Sequence, residues 1–350
     1  MPKKIQALLK VYKGSIKGFF PYFKRGIVNT IKEIPTQLYN FKTWVFTFQG
    51  GLTFFCLIGL ILFPFLPGVE YYASILMTAM IFTIFAASWD FLAGFVGQIS
   101  FGHAIFFGIS GFLGAQLIQK MGIPWFYSIF VGAIIAVLTG LIVGIPSLRL
   151  KGPYLALGTQ AFALIMFNYM LTLEVTYGIS TSYSNFSYIM QYFILMIFML
   201  ISLTIMLIIV KSKVGTIFKS IRDDEISSDA SGINTTKYKL LAFMISSFFA
   251  GIAGGLFMVN LGSVSYANFA PLYSFFAIIM AAIGGLGTIS GAALGSFLFW
   301  IVNEGLRDFG EYAVLLFSLF LILVIRFAEH GIMRPAIERL KQFFDLLMGR

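Results

Sequence analysis

The sequence predicts an all-α polytopic membrane protein, and three observations carry that prediction. Of its 350 residues, 59% are hydrophobic and 11% charged, against roughly 45–50% and about 25% in soluble domains. Mean hydropathy is +0.91, so the chain lacks the charge to coat a globule in water. About ten apolar stretches each approach the ~20 residues that span a ~30 Å hydrocarbon core as a helix. The same composition excludes intrinsic disorder, whose signature is low hydrophobicity with high charge. A single cysteine, Cys56, excludes an internal disulfide and a cysteine-based zinc cluster. The two histidines, His103 and His330, are not at ligand spacing, so no metal site is expected.

In chain order the stretches lie near 44–66, 71–93, 98–119, 124–145, 153–173, 188–210, 239–260, 272–285, 288–305 and 312–328. Their number sits within a range of eight to eleven. The eighth and ninth share the glycine-rich run 283–291 and allow for half-spans or a re-entrant segment, which needs protein or water to satisfy its backbone. Orientation follows from the rule that basic residues stay cytoplasmic. With the N-terminus inside, the inner segments 1–43, 94–98, 146–152, 211–238 and the tail from 329 hold nearly all Lys and Arg. The outer loops carry Glu70, Lys120, Glu174 and the mixed set Glu304, Arg307, Asp308 and Glu311. Both termini are therefore expected in the cytoplasm.

The net charge is +10, and residues 1–43 hold nine basic residues against the single acid Glu33. A soluble basic domain would raise nucleic-acid binding. Here the block abuts a membrane span, so anionic lipid head groups are the expected partner and nucleic acid is not. No small-residue cleavage site follows a short apolar core, so residues 1–25 do not read as a cleavable signal. Ile5, Leu8, Leu9, Tyr12, Ile16, Phe19, Phe20 and Phe23 repeat at helical spacing. That pattern fits an amphipathic helix in the inner interface, or one packed against the bundle's cytoplasmic side.

The segments Gly94-Phe-Val-Gly-Gln-Ile-Ser100 and Gly284-Gly-Leu-Gly-Thr-Ile-Ser290 share a Gly-x-x-Gly-x-Ile-Ser pattern displaced by 190 residues. Both open an odd-numbered span, which is compatible with two parallel repeats and a path between them. It is also compatible with chance among glycine-rich helices. The long polar stretch 211–238 predicts a short helix through roughly 216–231. Ile217, Phe218, Ile221 and Ile226 lie on or near one face, and Gly232 stands where a left-handed cap would stop it. Such a helix suits docking into a partner's groove or a solvated loop.

Four blocks then resemble one family, the permeases of branched-chain amino-acid ABC transporters (LivM-like). They are Gly94 through His103 to Gly108; Arg149 through Thr159 to Ala163; Ile221-Arg-Asp-Asp-Glu225 with Gly232-Ile-Asn234 and Tyr238 to Phe243; and the glycine runs 250–255 and 283–287. They occur in order over about 90–330. The resemblance implies a permease domain over 44–328 with a coupling loop at 211–238, between the basic segment 1–43 and a cytoplasmic tail 329–350. It implies Arg222, Asp223, Asp224, Glu225 and Gly232 as the coupling residues. It also implies that this chain lies in the inner membrane, with a second homologous permease, two cytoplasmic ABC ATPase subunits and an external substrate-binding protein as partners. The resemblance implies a transport subunit and not an enzyme; the chain has no Gly-x-x-x-x-Gly-Lys-Ser/Thr phosphate loop, so if ATP powers it, ATP and Mg would sit on the partner ATPases. Ser227 and Ser228 stand where alanines are usual, and Pro153 follows Gly152 where a β-branched residue is common.

Gln98, Ser100, His103, Thr159 and Gln160 are candidates for the translocation path, against a reading as hydrogen-bonding glue between helices. Asp90 is the other intramembrane ionisable group, read either as functional or as a helix-end charge reaching interfacial water. Sparse intramembrane charge suits branched-chain or related hydrophobic amino acids. The alternatives are a same-family permease for urea or short amides, and an ATP-independent secondary transporter.

Overall fold

The computed structural model describes residues 48–150, 152–177, 181–182, 187–310, 312–327 and 331. The basic segment 1–43 with its amphipathic stripe, and the tail 329–350 apart from Gly331, lie outside the described residues. Twelve α-helices are described: α1 (Phe48–Leu62), α2 (Glu70–Val96), α3 (His103–Met121), α4 (Trp125–Ser147), α5 (Pro153–Tyr177), α6 (Tyr188–Lys211), α7 (Lys213–Asp223), α8 (Glu225–Ala230), α9 (Thr235–Leu261), α10 (Pro271–Gly284), α11 (Ile289–Gly305) and α12 (Tyr312–Phe327). One two-residue antiparallel pair, β1 (Thr181–Ser182) with β2 (Ser263–Val264), links the loops after α5 and α9. The chain is an all-α polytopic membrane protein. Seven helices, α2 to α6, α9 and α11 with its 3-10 extension, are long and apolar enough to cross a membrane. The other three expected spans are the shorter α1, α10 and α12, of 15, 14 and 16 residues.

Glycine and proline set several helix ends. Gly97 takes φ +74° and stops α2, with its N–H donating to Ala93 O and the Gln98 N–H to Leu92 O. Pro153 and Pro271 occupy the first positions of α5 and α10, where a missing N–H leaves nothing unpaired. Asn234 caps α9 by accepting from the Lys237 N–H at 3.0 Å.

Two helices are central. About four-fifths of the apolar windows of α2 and α9 are buried (83% and 78%), against 28% for α5. Lipid tails are as apolar as leucine, so packing and interhelical hydrogen bonds hold such a bundle together. Helices α3, α4 and α9 meet through small residues: Gly254 abuts the Phe107 carbonyl, Gly251 abuts Ala133 and Ala136, and Gly140 abuts Ser247. Phe82 of α2 anchors an aromatic cluster, with ring centroids 5.8 Å from Phe107, Phe257 and Tyr273 and 5.1 Å from Trp300. The exposed faces of α4 and α6, such as Val131, Ile134, Leu138 and Ile197, Ile201, Ile205, are aliphatic and suit lipid.

Contacts between loops sort the ends of the bundle. Arg222 on Gly94, Asp90 on Gly287 and Lys239 on Glu225 gather at one end. Tyr71 with Glu304 and Arg307, and Glu174 with the Tyr266 N–H, gather at the other. The loops assigned to opposite sides by charge thus lie at opposite ends.

Gly254→Val should drive a branched side chain into the α3 backbone, and overpacking of this kind costs about 1–3 kcal/mol. Thermal unfolding of the detergent-solubilised protein should show a lowered midpoint for Gly254→Val and none for Gly305→Ala, whose surroundings are open.

Candidate functional site

The span expected from 98 starts as a helix only at His103, because residues 97–102 run as non-helical backbone into the bundle. In the first turn of α3 the Ala104 N–H donates to Ser274 Oγ, in the first turn of α10, at 2.8 Å. Both residues are fully buried, so two helix N-termini meet in the interior. Backbone at such depth needs protein partners. The Phe101 N–H donates to Thr159 Oγ1 at 3.0 Å, the Gly102 N–H to Ser100 Oγ at 3.3 Å, and Trp89 Nε1–H to Ser100 O at 2.6 Å. Ser100 and Thr159, both fully buried, are therefore occupied in holding this break in place.

His103 is also fully buried. Ser246 has one hydroxyl hydrogen, and it goes to Ser88 O at 2.6 Å. The 2.9 Å contact between Ser246 Oγ and His103 Nε2 must then be donated by the imidazole. Nδ1 is left as a buried acceptor with no partner among the described residues. Gln98 is half-buried with a 3.4 Å contact to Val96 O. Gln160 follows Thr159, and its buried Oε1 has no partner among the described residues.

Asp90 does not reach interfacial water. It is fully buried one turn before Gly94, and its Oδ1 accepts the Gly287 N–H at 2.8 Å. That bond ties the end of α2 to the turn between α10 and α11. The two backbones touch there, since a Cβ added at Gly94 would collide with Asp90 Oδ1 and the Gly287 backbone.

The expected helix 216–231 is two helices, not one. Asp224 is extended (φ −156°, ψ 106°), and its Oδ1 accepts the Ile226 and Ser227 N–H groups at 2.9 and 3.0 Å. This local capping replaces the helical path at the joint between α7 and α8. Phe218 and Ile221 face the bundle and are buried, whereas Ile226 is 83% exposed. Gly232 has φ +84°, and the Ile233 N–H returns to Ser228 O at 3.1 Å to close α8.

Arg222 turns inward: Nη1 donates to Gly94 O at 3.0 Å, while Nε and Nη2 both reach Asp223 Oδ1 at 3.0 and 2.8 Å. Glu225 pairs with Lys239, a nearly buried lysine at the start of α9. Of the coupling set, Arg222 and Glu225 thus contact their own bundle, and Asp224 shapes the joint. Gln98, Ser100, His103 and Thr159 lie on or beside the 97–102 break, two of them bound into it. Ser274 and Ser246 belong to the same arrangement, through Ala104 and His103, and carry no local sequence signal because these partners are remote in the chain.

A membrane bundle with interrupted helices is an architecture that many transport proteins use. The family of branched-chain amino acid transport system permease components matches residues 71–328, and the chain belongs to it. The LivM permease proteins of the high-affinity branched-chain amino acid transport systems of Salmonella typhimurium and Escherichia coli strain K12 are each 26% identical over 296 residues. Each of these alignments covers 75% of this chain and 70% of the relative. The corresponding permease protein BraD of Pseudomonas aeruginosa is 30% identical over 154 residues, which is 43% of this chain and 50% of the relative. No solved structure matches the chain.

Ser246→Ala should leave two buried groups, the Nε2–H of His103 and the Ser88 carbonyl, without this hydroxyl, at about 1–3 kcal/mol for an unsatisfied group. A double-mutant cycle with His103→Phe, read by thermal unfolding, should show non-additive losses; strict additivity would contradict the pairing.

Proposed function

We propose that this chain is the transmembrane permease subunit of an ATP-driven importer in the inner membrane, forming half of the path for branched-chain or related hydrophobic amino acids. Its partners are a second homologous permease, two ABC ATPase subunits and an external substrate-binding protein. ATP hydrolysis takes place on the ATPases. Both termini lie in the cytoplasm with α7 and α8, and the basic segment 1–43 meets anionic lipid.

The observation that carries this reading is the placement of Ile226. It is 83% exposed on a polar helix pair, flanked by Glu225 and Ser227. A large aliphatic side chain on the polar end of the bundle suits a groove on a partner. The rest of the pair is fastened to its own bundle through Arg222, Phe218, Ile221 and Glu225, so force applied at Ile226 reaches the spans. The solute path suits the exposed face of α5. Asn168 and Thr172 interrupt its aliphatic surface of Leu164, Ile165 and Val175. Both donate to carbonyls of their own helix, Asn168 to Leu164 O at 2.8 Å and Thr172 to Asn168 O at 2.9 Å, and this exposed face is where a second permease would close the path.

The reading is tested by purifying the tagged chain in mild detergent with its associated subunits, reconstituting the complex in vesicles and measuring ATP-dependent leucine, isoleucine and valine uptake. Ile226→Asp should lower uptake by about tenfold or more, as for a buried anchor at an interface, with the chain still present in the membrane. Uptake that persists without ATP or any ATPase subunit would contradict the proposal.

A further inference from the structure

The two echoed segments lie against each other. Gly97, after α2, has φ +74° and Gly287, after α10, has φ +73°. These are equivalent positions in the Gly-x-x-Gly-x-Ile-Ser pattern. Both helices end at the same end of the bundle, where Gly94 touches Gly287. Arg222 lies across both turns. Its Cγ is 3.2 Å from the point where a Cβ on Gly97 would stand, and its Nη1 is 3.5 Å from the equivalent point on Gly287. The same Nη1 donates to Gly94 O at 3.0 Å.

We propose that Arg222 is a positioning residue that fastens the α7–α8 pair to both glycine turns, so that one push moves the ends of α2 and α10 together. This rests on the permease reading above and adds how motion enters the bundle. The electrostatics favour it. The last carbonyls of a helix have no intrahelical partner and carry the negative end of its dipole. The guanidinium caps that end of α2 directly, and its Nη1 stands beside Gly287 in the turn that leads from α10 into α11. Asp223 holds the other face of the guanidinium and aims Nη1 at the Gly94 carbonyl. Asp90 completes the joint by binding the Gly287 N–H to α2 from within. Glycine at 97 leaves open the space that the arginine stem occupies. Lysine keeps the charge but not the planar fork, so it cannot make both sets of contacts.

Hydrogen–deuterium exchange of the purified full chain tests the clamp without partners. Arg222→Ala should speed exchange at both 97–102 and 285–288 by about tenfold or more, as for a lost charged hydrogen bond, and leave α4 and α6 unchanged. Arg222→Lys should give a smaller effect at the same two sites, and it decides the matter if the alanine variant does not fold. In the reconstituted complex, Arg222→Ala should retain the ATPase subunits while uptake per ATP hydrolysed falls by about tenfold. A change confined to one turn, or at neither, would overturn the proposal. So would loss of the ATPase subunits from the variant, which would make Arg222 a docking residue. A wild-type complex without any ATPase would defeat the permease reading alone, and the exchange result would still decide the clamp.

Discussion

Every buried backbone N–H and C=O needs a partner within the protein, and side chains meet that need at two places where the helices of this bundle stop. At the first break, Ser100, Thr159 and Ser274 serve residues 97–104. At the second, Asp90 serves the turn between α10 and α11 through the Gly287 N–H. The Asp90 bond governs the rest, because it joins the most buried helix to the following pair at the point where their backbones touch. A carboxylate there has a structural reason to be buried, and the bundle end that contains it becomes one mechanical piece.

That piece includes the α7–α8 pair. Phe218 stacks edge-on to Phe91 at 5.7 Å, and Lys219 Nζ lies 5.9 Å from the Phe95 ring centroid, so α7 packs along the last turns of α2. Lys239 and Glu225 tie α8 to α9. The two central helices, α2 and α9, are thus each gripped by one half of the pair. Ile226 and the exposed acids remain on its outer surface. The segment proposed above to face the ATPase is thus fastened to the two helices that organise the whole bundle.

Much of this was legible in the sequence because the cues are local. Apolar runs marked the spans, Pro153 stood at the start of one, and Gly232 marked the close of α8. The α7–α8 break was not legible, since Asp224 can sit inside a helix or cap the next one, and burial of Phe218 and Ile221 favours the second. The late start of α3 depends on hydroxyls 58 and 170 residues further along the chain. Asp90 looked like a helix-end charge because its partner is 197 residues away. The echoed glycine pattern was visible, but that its copies touch, with an arginine between them, required three dimensions.

The central claim is that α7 and the turn between α10 and α11 move as one body. Spin labels at Lys219 and Leu286, both exposed, measure it directly by pulsed dipolar spectroscopy in the reconstituted complex, with and without trapped nucleotide. The distance should stay constant to within about 2 Å, the scale of small helix adjustments. A change of about 5 Å or more, one helical turn, in a complex that still transports would show that the pair slides over the bundle and would contradict the account.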